Sequence, residues 1–242
     1  MYAGSGNISR EVVIEHLVNI ARELESIIVS INGIFRDKSL PTAEVIDKIF
    51  RQDLVMAKER IEKNIAQLLL YIASGRIELV DSKELILRIT EGYRDTITKL
   101  ESFVHRLKLA RRAEAEVDSK IVERMANMLG LVAEASGHIT TLARLAGRAY
   151  GNNEIARRME QRNDKVQEIE RLVDEVYREL LDLLIDTTSD FKTYILVRDA
   201  VNTLEDTMDL LAKLSLNYFI LGVGMASSAT ASGVTEYAGF EM

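Results

Sequence analysis

Apolar residues recur at three- and four-residue intervals through six stretches of the chain, roughly 9–35, 42–74, 81–112, 118–150, 153–186 and 189–221. This spacing puts the apolar side chains on one face of an α-helix, so the pattern predicts six long amphipathic helices. The breaks fall at turn-forming residues such as Pro41 and Gly151. Because the connections are short, consecutive helices are expected to be antiparallel neighbours.

The second half of the chain repeats the first. Adding 111 to the residue number carries the block 51–61 onto 162–172 and the block 93–97 onto 204–208 without a gap. The sequence therefore predicts an all-α fold built from a tandem pair of three-helix bundles, which either pack side by side or share helices.

The predicted organisation is an N-terminal arm over residues 1–8, a first repeat over 9–112 and a second repeat over 118–221. After position 221 the composition changes to Gly, Ala, Ser and Thr. We therefore expect a flexible C-terminal tail over 222–242.

Composition narrows the function classes. The chain has 242 residues, a net charge of −7 and no cysteine. The negative charge argues against a nucleic-acid partner, and the lack of cysteine excludes disulfides and thiolate metal sites. No stretch approaches the roughly 20 apolar residues of a membrane span. We expect a cytoplasmic protein without membrane insertion, at most peripheral to a membrane transporter.

Candidate chemistry lies on the fifth and sixth predicted helices. The fifth carries polar residues spaced 4-3-4 beside its apolar stripe, and so does the sixth. Two carboxylates from each helix face the same way and could converge on a metal ion. These four residues are Glu170, Asp174, Glu205 and Asp209.

The repeat offers an internal check on this site. Subtracting 111 from the four residue numbers gives Glu59, Lys63, Arg94 and Thr98. Only Glu59 keeps a carboxylate, so the first repeat should hold at most a weaker site there. Any metal site is expected mainly in the second repeat.

At these residues the chain resembles the PhoU-like family of phosphate-uptake regulators, especially the branch found alongside low-affinity phosphate transporters. The resemblance covers the tandem three-helix repeat and the Glu/Asp-x-x-x-Asp motifs Glu170-x-x-x-Asp174 and Glu205-x-x-x-Asp209. It implies metal clusters on the bundle surface, with Fe, Mn, Zn or Mg as the candidate ions. The first repeat departs from the family pattern at Lys63, Arg94 and Thr98.

The same resemblance implies a regulator rather than an enzyme. Its partner would be a phosphate transporter or a phosphate-signalling protein, and the protein itself would be a homo-oligomer. These statements follow from the family and not from the spacing of residues.

Three alternatives stay open from the residues alone. The four carboxylates could be a solvated flank neutralised by Arg171 or Arg198, because charged helix faces usually are solvated. The chain could be a ligand-free helical scaffold that self-associates. A ferritin-like di-metal carboxylate protein is less favoured, because it needs a Glu-x-x-His motif on each of two helices and neither repeat has one.

Overall fold

The computed structural model describes residues 5–35, 39–74 and 82–234, and all regular structure in these residues is helical. They form six helices, which confirms the all-α prediction. The helices are α1 (Ser5–Gly33), α2 (Ala43–Lys48, a π-helical turn Ile49–Leu54, then Val55–Ala73), α3 (Lys83–Arg112), α4 (Ser119–Ala146), α5 (Asn153–Thr187) and α6 (Phe191–Val234).

Local sequence explains where several helices begin. The side chain of Asn152 accepts hydrogen bonds from the backbone N–H groups of Glu154 and Ile155 and so caps α5. Gly151 before it has a φ of 63°, a left-handed conformation that favours glycine. Asp118 and Thr42 cap α4 and α2 in the same way as Asn152.

The two repeats share one core and do not form separate bundles. The buried apolar residues of all six helices form a single cluster. Corresponding helices of the two repeats pack on each other, α1 against α4 and α3 against α6. The flanking helix α2 packs against α1 and α3, and the flanking helix α5 packs against α4 and α6. Of the two packing modes left open by the sequence, the structure has the one with shared helices.

A buried tyrosine pair marks the contact between α3 and α6. The hydroxyl oxygens of Tyr93 and Tyr218 lie 2.9 Å apart, and both side chains are fully buried. Burial and the neighbouring phenol raise the pKa of Tyr93 far above its usual value. One hydroxyl donates to the other, so each of these two buried oxygens has a hydrogen-bond partner.

The structural repeat does not have one constant offset in residue number. Buried positions of α1 and α4 correspond at an offset of 108, those of α2 after its π-turn and α5 at 112, and those of α3 and α6 at 111. Examples are Leu17 with Met125, Ile61 with Val173, and Leu100 with Leu211. The gap-free repeat with the single offset of 111 is therefore correct only for the third helix of each module.

The π-helical turn explains part of this change. Before the turn, buried Ile46 corresponds to Met159 at an offset of 113, and after it buried Leu54 corresponds to Val166 at an offset of 112. A π-turn inserts one residue into an α-helix, so it shifts the apolar stripe by one position.

Two boundary predictions need correction. Helix α1 starts at Ser5, inside the predicted N-terminal arm, and α6 continues past position 221 to Val234, so the first part of the predicted tail is helical. Met225 and Ala226 are buried, and the carbonyl of Met225 accepts a hydrogen bond from the backbone N–H of Gly151. These contacts hold the small-residue segment against the bundle. Residues 235–242 lie outside the described residues.

Helix α6 corrects the expectation that no stretch of the chain is apolar enough and long enough to cross a membrane. Among the described residues it is the one helix that is long and apolar enough to cross a membrane, with a mean hydropathy of 1.4 in its most apolar stretch, 44% of which is buried. A core helix meets the same criterion, and Leu211, Leu214 and Tyr218 are core residues of this bundle. The absence of membrane insertion stays a prediction.

Candidate acidic face and metal site

Helices α5 and α6 are antiparallel and are joined by polar side chains along one flank. At one end, the Tyr177 hydroxyl donates a hydrogen bond of 3.1 Å to Oδ1 of Asn202. Further along, Nε2 of Gln167 donates to the carbonyl of Ala212 at 3.2 Å. These contacts fix the register between the two helices.

The same register continues to a buried contact near the start of α5. Oγ of Ser215 lies 2.9 Å from Oδ1 of Asn163 and donates to it, and both side chains are buried. Tyr177 and Ser215 were not among the residues selected from the sequence. Tyr177 follows Asp174 at helical spacing, and this periodicity is the signal that could have found it. Ser215 lies among the buried positions of α6, so the polar stripe did not indicate it.

The four predicted carboxylates lie between these cross-links. The register sets Glu170 opposite Asp209 and Asp174 opposite Glu205, and all four side chains are half-buried. We call these four residues the acidic face. The prediction that the two helices bring them to one flank agrees with this placement.

Electrostatics within the acidic face is repulsive. Partial burial raises the pKa of Glu170, and the charges of Asp174 and Asp209 raise it further, while Arg171 opposes the shift. Burial also raises the pKa of Glu205, with added repulsion from Asp209 and three other carboxylates. Each carboxylate thus makes ionisation of its neighbours less favourable.

Few cations compensate this repulsion in the described part of the chain. Nζ of Lys213 lies 4.0 Å from Oδ2 of Asp209, at the edge of ion-pair distance. The two arginines proposed from the sequence to neutralise the flank bind elsewhere. Nε of Arg171 donates to the carbonyl of Gln167, and Arg198 pairs with Asp199 at 3.0 Å.

The acidic face does not form a ready-made metal centre. Carboxylate oxygens are suitable donors for hard cations such as Mg²⁺ and Mn²⁺. However, within residues 5–35, 39–74 and 82–234, no three Asp, Glu or His side chains converge closely enough to hold an ion. The donor type therefore fits a metal, but the geometry does not supply a closed coordination shell.

The corresponding flank of the first repeat is charge-paired. With the offset of 112 between α2 and α5 and of 111 between α3 and α6, Asp174 corresponds to Glu62 and Glu205 corresponds to Arg94. Arg94 donates to both carboxylate oxygens of Glu62 through Nε and Nη2, at 2.9–3.1 Å. This bidentate contact, opposed by desolvation, raises the pKa of Arg94. Two opposed carboxylates in one repeat are therefore replaced by an ion pair in the other.

The offset of 112 also shows that Glu59 is not the counterpart of Glu170. The position that corresponds to Glu170 is occupied by Lys58, which pairs with Glu101 at 2.6 Å. Glu59 is exposed and lies one position out of register. The single offset of 111 chose it because that offset holds for α3 with α6, whereas α2 after its π-turn corresponds to α5 at 112. A helix-by-helix alignment of apolar stripes would have found Lys58 and Glu62.

The histidines lie on other helices. Nδ1 of His16 is 3.3 Å from Oδ1 of Asn64, and Nδ1 of His138 is 3.2 Å from Nη1 of Arg162. Partial burial, and then the charge of Arg162, lower the pKa of His138. Neither imidazole joins the four carboxylates of the acidic face.

Comparison with known proteins adds no relative. No family model matches this chain, and it has no significant similarity to a curated protein or to a solved structure. The likeness to the PhoU-like family therefore rests on the repeat and the two acidic motifs described above.

Proposed function

We propose that this protein is a non-enzymatic regulator of phosphate uptake that acts as a helical adaptor to a phosphate transporter or to a protein that signals phosphate supply. The observation that carries the proposal is the asymmetry of the repeats. The second repeat presents four half-buried, mutually repelling carboxylates, whereas the matching flank of the first repeat is closed by the Arg94–Glu62 pair.

The acidic face is the surface that we assign to regulation. Half-buried like charges destabilise the free protein, and a cation or a basic partner segment would relieve that repulsion on binding. Because the repulsion among the four carboxylates is relieved only in the complex, its relief adds to the free energy of binding. A basic loop of a transporter or a signalling protein has the matching chemistry.

Divalent cations would associate with this face as an open carboxylate surface. Oxygen donors favour Mg²⁺ or Mn²⁺, and Fe and Zn are comparison ions in the test. Such binding is weak beside that of a closed centre, so it responds to the free ion concentration.

The first experiment measures bound metal and thermal unfolding before and after chelation, and then with each added ion. The variant is Glu170→Ala/Asp209→Ala. The matched control is Asp95→Ala/Glu175→Ala, which removes two exposed carboxylates outside the acidic face. We expect cations to raise Tm in the wild type and the control and to have little effect on the variant. An equal response in all three proteins would remove the cation role.

Phosphate uptake by the native host tests the regulatory role directly. Cells lacking the protein should change their rate of phosphate import, and the wild-type chain should restore it. The acidic-face variant should fold and accumulate but fail to restore regulation. Unchanged import in the deletion strain would overturn the proposal.

A ligand-free scaffold is the second candidate, and one observation favours it. Leu216, Ile220 and Val223 are 41–48% exposed and follow one another at helical spacing on α6. Such a stripe suits self-association. Sedimentation with and without chelator separates the two candidates: a cation-independent oligomer that Ile220→Glu dissociates, together with no effect on phosphate import, supports the scaffold.

A further inference from the structure

A pocket of about 660 Å³ lies between the start of α1 and the end of α4, with Met225 of α6 at its edge. Four arginines line it, two from α1 and two from the end of α4 and the turn that follows. They are Arg10, Arg22, Arg144 and Arg148. Together with Tyr150 they define what we call the arginine pocket.

The guanidinium groups of this pocket are not neutralised by ion pairs within the described residues. Arg10 lies over the ring of Tyr150, 3.7 Å from its centroid, which orients the group without cancelling its charge. Within the residues that the structure describes, Arg22, Arg144 and Arg148 form no ion pair with a carboxylate. Glu11 and Glu15 also line the pocket, so four positive charges face two negative ones.

The repeat shows that the fold does not require an arginine at position 10. The related end of the bundle has a pocket of about 700 Å³ between the end of α3 and the start of α4. In it, Asp118 corresponds to Arg10 at the offset of 108, and Glu114 corresponds to Met225 at the offset of 111. Glu116 adds a further negative charge. The charge is thus reversed at one matched position, Arg10 against Asp118, and this second pocket has three carboxylates beside the single guanidinium of Arg111. The arginine pocket is the basic one of the two, in a protein whose net charge is −7.

The walls of the arginine pocket combine charge with apolar surface. Ile14, Val18 and Met225 line it beside the arginines. Guanidinium groups recognise phosphate oxygens through paired hydrogen bonds, and apolar side chains accommodate an organic group. The volume lies in the range of small-molecule sites.

We propose that the arginine pocket binds a phosphate group carried by an organic molecule. A soluble nucleotide and a phosphorylated lipid headgroup share this chemistry. The proposal goes beyond the regulatory role of the acidic face and does not depend on it, because the two sites have no residue in common.

The test is titration of the full chain by calorimetry with ATP in the absence of added metal, with inorganic phosphate, and with vesicles. One vesicle preparation is phosphatidylcholine, and the other contains phosphatidylinositol phosphate in addition. The variant is Arg144→Gln/Arg148→Gln. The control is Arg51→Gln/Arg157→Gln, which removes the same charge at exposed sites outside the pocket. All four substituted arginines are exposed, so circular dichroism and Tm without ligand should match the wild type.

We expect saturable binding of ATP or of the phosphoinositide vesicles, tighter than that of inorganic phosphate. The pocket variant should weaken it by about tenfold or more, since it loses two charge-assisted contacts, and the control should change it little. Binding to ATP assigns a soluble ligand, and binding confined to the phosphoinositide vesicles assigns a lipid headgroup. No binding to either, or equal weakening in variant and control, would overturn the proposal.

Discussion

The flank of α2 and α3 in the first repeat and the flank of α5 and α6 in the second have the same place in the fold and opposite electrostatics. In the first, Arg94 closes on Glu62 with two hydrogen bonds. In the second, the corresponding Glu205 and Asp174 repel each other. The apolar stripe beside each flank is buried in both repeats. The core therefore sets the fold, and the charges on its shoulder are free to follow function.

The largest effect should come from making the first repeat resemble the second. Arg94→Glu removes the bidentate pair with Glu62 and places two carboxylates opposite each other. We expect the free energy of unfolding to fall by roughly 1–2 kcal/mol, because a favourable pair is replaced by a repulsive one. Chemical denaturation measures this change.

Lys63→Glu is the matched control for Arg94→Glu, since it makes the same charge change at an exposed position of α2. Its effect should stay within about 0.5 kcal/mol, as is usual for surface substitutions. Equal destabilisation by the two variants would mean that net charge, and not the Arg94–Glu62 contact, is responsible.

The reciprocal change should stabilise the protein by a smaller amount. Glu205→Arg recreates in the second repeat the arrangement of the first, with Asp174 as the partner. We expect a gain of roughly 0.5–1 kcal/mol in the free energy of unfolding, from lost repulsion and a new half-exposed pair. The response of Tm to added Mg²⁺ or Mn²⁺ should decrease at the same time.

Glu175→Arg provides the comparison for that reversal, because Glu175 is exposed on α5 outside the acidic face. It should leave the cation response intact. A loss of the response in this control would show that cations interact with the protein's overall charge and not with the acidic face.

A smaller effect is expected in the pH dependence of stability, which should come from the two glutamates of the acidic face in the second repeat. The native pKa values of Glu170 and Glu205 are raised above 4.5. The native state therefore holds protons more tightly than the unfolded state at these sites. Their contribution to stability is fully present below the ordinary value and is lost as pH rises through the native values. Relative to Glu170→Gln/Glu205→Gln, the wild type should gain Tm as pH falls from 7 toward 4.5.

Glu91→Gln/Glu175→Gln removes two exposed glutamates as the reference for this titration. The difference in Tm between wild type and reference should change less over the same pH range. If the Tm of the wild type and that of Glu170→Gln/Glu205→Gln changed in parallel at every pH, Glu170 and Glu205 would be too well solvated to affect stability.

The helices could be predicted from sequence because burial follows the apolar period directly. All six predicted segments became helices, and the breaks at Pro41 and Gly151 hold. The end of α6 could not be predicted, since the small residues near Met225 look like a tail until the turn at Gly151 packs against them. Composition reports local preference, whereas that contact joins distant parts of the chain.

The acidic face was only partly predictable. The 4-3-4 spacing placed Glu170 with Asp174 and Glu205 with Asp209 on matching flanks, because i and i+4 residues share a helix face. Which carboxylates stand opposite each other depends on the sliding of α5 along α6, and Tyr177–Asn202 fixes it. No single-helix pattern contains that information. In the first repeat, the offset changes by one residue between α2 and α3, so the single value of 111 mapped Glu170 onto Glu59.

The smallest effect tests the register of α2 itself. Lys58→Ala should lower the free energy of unfolding by up to roughly 0.5 kcal/mol, because it removes the partly exposed pair with Glu101. Glu59→Ala should change it less, since Glu59 is exposed and the new residue has the same helix propensity in both variants. Replicate denaturation curves can resolve the sign of the difference. A more harmful Glu59→Ala, or a change in the cation response caused by it, would contradict the assignment of Lys58 as the functional counterpart of Glu170.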